Sequence, residues 1–288
     1  MNVQASERLV KIMRVLAEYK FLTTSQIKEL GFENIKTCQR WMRNKVRQGY
    51  LKWFSSPPII GQTGRLERVY YPNPKRALEI RALLQLPQEQ PLIMRPPSNP
   101  VKIGHLFKIN DFIIALICGL GQKYSFECIP EYGRGRHKIL KANEKYISDR
   151  VALPVSPYRE VSFIPDAVFA IKNPASGRKA LFFLEIDNGT ESVISLKNKL
   201  LAYTGYARGR FQRYSKEFDF SFNGFRTLIV TSGQTRLRHL LLLCKEFGTM
   251  FWLTTFDRIN PSTILTPIWT VAGTEEYRAI VKTDEKKE

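Results

Sequence analysis

The stretch FIPDAVFAIKNPASGRKALFFLEIDNGTES, from Phe163 to Ser192, contains two apolar runs separated by a turn-rich segment. Apolar runs on both sides of NPASG predict two antiparallel strands joined by a tight turn. If the turn occupies residues 174–177, antiparallel pairing sets Asn173 opposite Arg178. This hairpin is expected to form part of the central sheet and to carry the candidate site.

Three carboxylates lie in the hairpin, and the same register sets Asp166 opposite Glu185. Because strand side chains alternate between faces, Asp166, Glu185 and Asp187 are expected on one face of the sheet. A buried carboxylate is costly unless a cation pairs with it. A divalent metal held by these three residues, Mg²⁺ or Mn²⁺, would meet that need and could polarise a phosphodiester. The alternative is that they lie at strand ends, solvated or paired with Lys172 and Arg178.

A predicted helix from about residue 191 to 207 follows the hairpin. It carries Lys197 and Lys199, and Tyr203 lies four residues after Lys199, on the same helical face. Lys199 and Tyr203 are therefore candidate catalytic residues beside the carboxylates. Glu191 stands at the start of the helix, where a negative charge suits the helix dipole, so a capping role is the preferred explanation for it.

The remainder of this region predicts alternating helices and strands. The order is α-β-β-β-α-β-α-β, which favours a mixed sheet flanked by helices. A basic segment, GRGRHK at residues 133–138, is interpreted either as a flexible loop near a phosphate backbone or as a solvated loop. The predicted fold class is α/β with more than one domain.

The segment LPQEQPLIMRPPSNP, residues 86–100, is dense in proline and predicts an extended linker. The predicted organisation is a domain at 1–85, the linker at 86–100, a larger domain at 101–280 and a polar tail at 281–288. Length alone suggests about two domains.

Before the linker, the pattern predicts three helices followed by a β-hairpin, which is typical of a winged helix-turn-helix. The third helix, about Ile35 to Gln48, has the recognition position, with Trp41 and Val46 as expected apolar anchors. Its basic residues are Lys36, Arg40, Arg43, Lys45 and Arg47.

Together with Arg65 and Arg68 of the predicted wing, these basic residues are the candidate DNA contacts. Two alternatives are a solvated charged face and a surface for protein contacts.

The composition supports a polyanionic partner. The 288 residues include 45 Lys and Arg against 26 Asp and Glu, a formal net charge of +19. Nucleic acid is the first expectation and an anionic membrane surface the second. The four cysteines have no zinc-ligand or disulfide-framework spacing, and no apolar run approaches a membrane span, so a cytoplasmic protein is expected.

With these features the sequence resembles the replication-relaxation family of plasmids and other mobile elements. The resemblance rests on FIPD at 163–166, on FFLEID at 182–187 followed by Gly189-Thr190-Glu191, and on the segment from Lys199 to Tyr203. It implies an N-terminal winged helix and a C-terminal domain similar to the PD-(D/E)xK nuclease fold. In that fold's pattern Asp166 and Glu185 would be metal ligands.

The chain departs from the nuclease pattern at one position, because Asp187 stands where a lysine is usual. Activity would then require a lysine displaced to the next helix, Lys199 or Lys197; otherwise catalysis is lost. A relaxase that forms a phosphotyrosine would need an exposed tyrosine, for which Tyr203 is the candidate.

The predicted function is that of a DNA-binding protein in replication, DNA relaxation or mobilisation, with metal-dependent strand nicking like that of a relaxase or endonuclease. The alternative is a non-catalytic regulator, replication initiator or auxiliary factor that keeps the fold for dimerisation or DNA clamping. The expected partners are double-stranded or nicked DNA and other mobilisation or replication proteins, without a membrane. The oligomeric state stays open, a dimer included.

Overall fold

The computed structural model describes residues 7–56, 66–86, 100–130, 149–153 and 156–281. The contacts within the chain divide it into two compact units, Met1–Ile114 and Ala115–Glu288. This division falls inside a long helix and not at the predicted linker. Residues 87–99 of that linker and the tail from residue 282 lie outside the described residues, so the domain boundaries drawn from the sequence stay predictions.

The first unit combines helices with a small antiparallel sheet of order β1-β3-β2. Its elements are α1 (Glu7–Tyr19), β1 (Leu22–Thr23), α2 (Thr24–Glu29), α3 (Ile35–Arg47), β2 (Leu51–Ser55), β3 (Arg68–Pro72), α4 (Ala77–Leu84) and the first part of α5 (Pro100–Leu120). The helices and the β2–β3 hairpin follow the expected order, with α4 added. The assignment of this unit to the winged helix-turn-helix class stays a prediction.

Side-chain caps set the start of α2 and of α3. The Thr23 hydroxyl accepts from the Gln26 backbone N–H, and the Gln26 side chain accepts from the Thr23 backbone N–H, which forms a capping box. Asn34 caps α3 by accepting from the Thr37 N–H at 2.9 Å. These caps satisfy backbone donors that the first turn of a helix leaves unpaired.

The buried side of α3 differs from the prediction. Cys38 and Met42 are fully buried, whereas Trp41 and Val46 are only half-buried. Cys38 and Met42 are four residues apart and so lie on one face, while the Trp41 ring packs at the edge of that face against Phe32. The face opposite Cys38 and Met42 is left to solvent.

Helix α5 is the one helix among the described residues with the length and hydropathy of a membrane span, at Lys102–Leu120, yet most of this stretch is buried inside the protein. Its Asn110 side chain donates to the backbone oxygens of Tyr19 and Phe21. Gln26 donates to the Phe107 carbonyl and to Asp111. These polar contacts are typical of a core helix. The predicted cytoplasmic location stays a prediction.

The second unit is built on a seven-stranded mixed sheet of order β12-β11-β10-β9-β8-β7-β4. Its strands are β4 (Ser125–Pro130), β7 (Ala167–Lys172), β8 (Lys179–Asp187), β9 (Phe225–Thr231), β10 (Phe251–Thr255), β11 (Trp269–Val271) and β12 (Tyr277–Arg278). A separate pair comprises β5 (Asp149–Leu153) and β6 (Ser156–Phe163), and the helices are α6 (Val193–Tyr206), α7 (Arg213–Glu217) and α8 (Gln234–Lys245). The α/β class is confirmed.

Strands β7 and β8 pair antiparallel from Lys172↔Lys179 to Ala167↔Leu184. Asn173 fixes the turn, since its backbone N–H donates to Arg178 and its side chain accepts from two following N–H groups. Gly177 adopts φ +67°, which favours glycine. The predicted register is therefore confirmed, and its continuation sets Asp166 opposite Glu185.

One core cluster of this unit lies between one face of the sheet and the helices α6 and α8. Phe183 is fully buried at its centre, and its ring meets the rings of Tyr203, Tyr206, Tyr214 and Phe225 in edge-on contacts. Each such aromatic pair contributes about 0.5–1.5 kcal/mol beyond burial. Because strand side chains alternate, Glu185 and Asp187 project from β8 on the same face as Phe183.

Candidate functional site

The three predicted carboxylates lie close together at one end of the β7–β8 hairpin. All are buried, with 8% of Asp166, 5% of Glu185 and 7% of Asp187 exposed. Lys172 and Arg178 stand at the turn end of the same hairpin. The carboxylates are therefore neither solvated nor paired with those two residues.

Glu185 is held by two donors from helix α6. The Lys199 ammonium donates to Glu185 Oε2 at 2.8 Å, and the Tyr203 hydroxyl donates to Oε1 at 2.5 Å. Burial raises the pKa of Glu185 to about 7, although the charge of Lys199 acts in the opposite direction. Lys199 also donates to Glu191 at 3.1 Å, so Glu191 does more than complement the helix dipole.

The two donors to Glu185 keep their own protons. Burial alone would lower the pKa of Lys199, but the charge of Glu185 raises it above its usual 10.5. Burial and the Glu185 charge raise the pKa of Tyr203 well above 10. Tyr203 has no exposed surface, so a nucleophilic role would require its hydroxyl to leave this position. Lys197, the other candidate lysine, points instead toward Glu246 at 4.0 Å.

Asp187 is held by two residues that the sequence reasoning missed. Arg236 donates to both of its carboxylate oxygens at 2.9 Å, and the Thr231 hydroxyl donates to Oδ2 at 2.7 Å. Burial alone would raise the pKa of Asp187, yet the hydrogen bonds from Arg236 and Thr231 and the charge of Arg236 lower it. Asp187 lies beside Thr231 through the parallel pairing of β8 with β9, which no local sequence pattern indicates.

Asp166 forms hydrogen bonds with the backbone of the adjacent strand, β8. Its Oδ2 accepts from the Ile186 N–H at 2.6 Å, and its own N–H donates to the Leu184 carbonyl at 3.1 Å. This carboxylate therefore extends the β7–β8 ladder beyond its last regular pair. The Asp166 side chain thus accepts a hydrogen bond from a backbone N–H, that of Ile186, which the end of the β7–β8 pairing would otherwise leave without an acceptor on β7.

The residues present do not fit a divalent metal ion. Within the described ranges there is no group of three or more His, Cys, Asp or Glu residues that could hold one. Both oxygens of Glu185 and both of Asp187 already accept hydrogen bonds, and the cations at this place are the protein's own Lys199 and Arg236. A metal ion here would have to displace them.

A small cavity adjoins this cluster. Its volume is about 30 Å³, and its lining includes Glu185, Lys199, Tyr203, Leu240 and Cys244. That volume can hold about one water molecule. A nucleotide could not enter it.

The basic residues of the first unit are arranged differently. Those on α3 are exposed or half-buried: Lys36, Arg40, Arg43, Lys45 and Arg47. Among the described residues none of them forms a salt bridge with a carboxylate. Arg43 donates to the Gln39 carbonyl of its own helix, and Lys45 lies over the Trp41 ring. We call Lys36, Arg40, Arg43 and Arg47, which recur every three or four residues, the α3 basic face. Lys45 is two residues from Arg43 and from Arg47 and projects from another side of the helix.

The predicted wing contributes one described basic residue. Arg68 lies over the ring of Trp53, which is 42% exposed, with its guanidinium carbon 4.4 Å from the ring centre. The Ser25 N–H donates to Glu67 beside it, so the hairpin is tied to the start of α2. Arg65, the other predicted contact, lies outside the described residues.

In a comparison with protein families, the sequence model of the replication-relaxation family matches residues 13–219. This range includes α3, the carboxylates, Lys199 and Tyr203, but ends before Thr231 and Arg236. No curated protein and no solved structure matches the chain.

Proposed function

The chain belongs to the replication-relaxation family, and we propose that it is a DNA-binding protein that acts in the replication, relaxation or mobilisation of a plasmid or another mobile element. The α3 basic face is the observation that carries this proposal. Five cations stand on one short helix without a carboxylate partner among the described residues, in a chain of net charge +19. Such a surface suits a phosphate backbone.

The proposal predicts a steep dependence of DNA affinity on salt. Each phosphate neutralised by Lys or Arg contributes about −0.9 to the slope of log affinity against log salt concentration. Phosphate contacts from all four side chains of the α3 basic face would therefore give a slope of about −4, and contacts from two of them a slope of about −2. Affinity for duplex DNA, measured by fluorescence anisotropy between about 50 and 200 mM salt, tests this.

A matched pair of variants locates the contact. We expect Lys36→Ala with Arg43→Ala to weaken DNA binding at least tenfold and to reduce the salt slope by about 2. Arg238→Ala with Lys245→Ala removes the same charge from exposed positions on α8 and should change affinity less than twofold. Equal losses from both pairs would show that net charge, and not α3, carries the binding, and a salt-independent affinity would refute the electrostatic basis altogether.

Strand nicking is the second candidate function. One observation favours it: Lys199, and not Lys197, meets Glu185, as a lysine displaced from the usual nuclease position would. Because Lys199 and Arg236 occupy the place of a cation, no step of a reaction is assigned to Mg²⁺ or Mn²⁺ here.

Cleavage of supercoiled plasmid separates the two candidates. Intact protein and the Glu185→Gln variant are each incubated with plasmid in Mg²⁺, in Mn²⁺ and in chelator. Open circles that require metal and disappear with Glu185→Gln would support nicking. Uncut plasmid that is retarded on the gel would support DNA binding alone, in agreement with a regulator, an initiator or an auxiliary factor.

A further inference from the structure

One stripe of α3 combines cations with a side-chain amide. Its members, Thr37, Arg40, Asn44 and Arg47, recur at intervals of three or four residues and so lie along one face of the helix. Together with Trp41 and Arg43 they line an open surface depression. Cys38 and Met42 are buried on another side, so the stripe is available to a partner.

Asn44 is the residue in this stripe that packing does not explain. It is exposed in the middle of the helix, and within the described part of the chain its side chain makes no hydrogen bond or ion pair. Asparagine is a poor helix former, roughly 0.5–0.7 kcal/mol worse than alanine at such a position. A local structural benefit that would offset this cost is absent from the described contacts.

The chemistry of the stripe matches base edges as well as phosphates. A side-chain amide offers one donor and one acceptor together, which is the complement of adenine N7 and N6 in the major groove. Arginine donates two parallel hydrogen bonds to guanine O6 and N7. Arg40 and Arg47 are one turn before and nearly one turn after Asn44, so the three side chains can face successive base pairs.

We propose that α3 reads duplex DNA sequence in the major groove, with Asn44 recognising an adenine and Arg40 and Arg47 recognising guanines beside it. Lys36 and Arg43, at the border of the stripe, contact phosphates. This inference rests on the proposed DNA binding and deepens it, because it makes the partner a defined duplex sequence and not any polyanion.

The experiment is selection from a random duplex library with the full-length protein, followed by affinity measurements on the selected site and on versions with single base pairs changed. We expect an enriched sequence containing A·T and G·C pairs. Asn44→Ala should lose about tenfold or more of the discrimination at one A·T pair and bind an unrelated duplex as the wild type does. Alanine favours helix, so this change should not unfold α3.

Lys36→Ala is the matched control. It should weaken binding to the selected site and to the unrelated duplex by the same factor, because a phosphate contact carries no sequence information. Binding without an enriched sequence, or unchanged discrimination by Asn44→Ala, would overturn the inference while DNA binding itself stands. A protein that binds no duplex would overturn both this inference and the proposed function.

Discussion

Replacing Glu185 with glutamine should change the pH dependence of stability. Glutamine has the shape of glutamate, so its amide can still accept from Lys199 and meet the Tyr203 hydroxyl, and Lys199 keeps Glu191 as a partner. What disappears is a titratable group that is almost completely buried. The variant therefore isolates the energetic consequence of burying this carboxylate.

The magnitude follows from the pKa of Glu185, which burial raises from 4.5 to about 7. Between these values the unfolded chain has lost the proton and the folded protein still binds it, so the free energy of unfolding falls as pH rises. Each pH unit in that window is worth about 1.4 kcal/mol. The folded wild type thus loses about 3 kcal/mol between pH 4.5 and pH 7 through this group. The Glu185→Gln variant has no titratable group at this position and keeps that free energy of unfolding.

Urea unfolding of both proteins at about pH 5 and pH 8, followed by circular dichroism, measures the effect. The stability of Glu185→Gln relative to the wild type should increase by about 3 kcal/mol from the lower to the higher pH. Glu191→Gln is the control, since it removes a half-exposed carboxylate from the same lysine and should shift little. If the difference in unfolding free energy between Glu185→Gln and the wild type were the same at both pH values, or favoured the wild type more at pH 8, the reasoning would be refuted. Burial would then not outweigh the charge of Lys199 in setting the pKa of Glu185.

Three further substitutions test the packing and the caps. Arg236→Met should lower the free energy of unfolding by about 3 kcal/mol, because it leaves Asp187 charged and buried without its cation, as urea unfolding would show. Thr23→Ala should cost about 1 kcal/mol through loss of the α2 cap, measured by thermal unfolding. Gly119→Ala should destabilise by roughly 1–3 kcal/mol, since the new Cβ would lie 2.9 Å from a backbone oxygen, whereas Gly104→Ala in the same helix meets open space and should stabilise by about 0.5–1 kcal/mol.

Local patterns in the sequence predicted the β7–β8 hairpin correctly. The turn residues around Asn173 fix the register, and a two-residue period then decides which side chains share a face. The α2 and α3 boundaries were predictable for the same reason, because Thr23 and Asn34 cap them through neighbours only three residues away.

What the sequence could not provide is the set of partners of the carboxylates. Arg236 is 49 residues from Asp187, and only the parallel pairing of β8 with β9 brings them together. Carboxylates on one face of a sheet can be neutralised by a metal ion or by the protein's own cations. Which of the two applies depends on such long-range contacts. The separate β5–β6 pair was also missed. So were the short strands β11 and β12, since two- and three-residue strands carry little periodic signal.

The internal cations also explain how a strongly basic protein can bury acids without weakening its attraction for DNA. Three unpartnered carboxylates would repel a polyanion, but Lys199 and Arg236 neutralise Glu185 and Asp187 at hydrogen-bond distance, and such pairs have little field beyond a Debye length of about 10 Å. The same bonds join α6 and α8 to the sheet. Charge changes in this cluster should therefore alter stability, whereas charge changes on the α3 basic face should alter DNA affinity. Because these two responses belong to different residues, variants of each group serve as controls for the other.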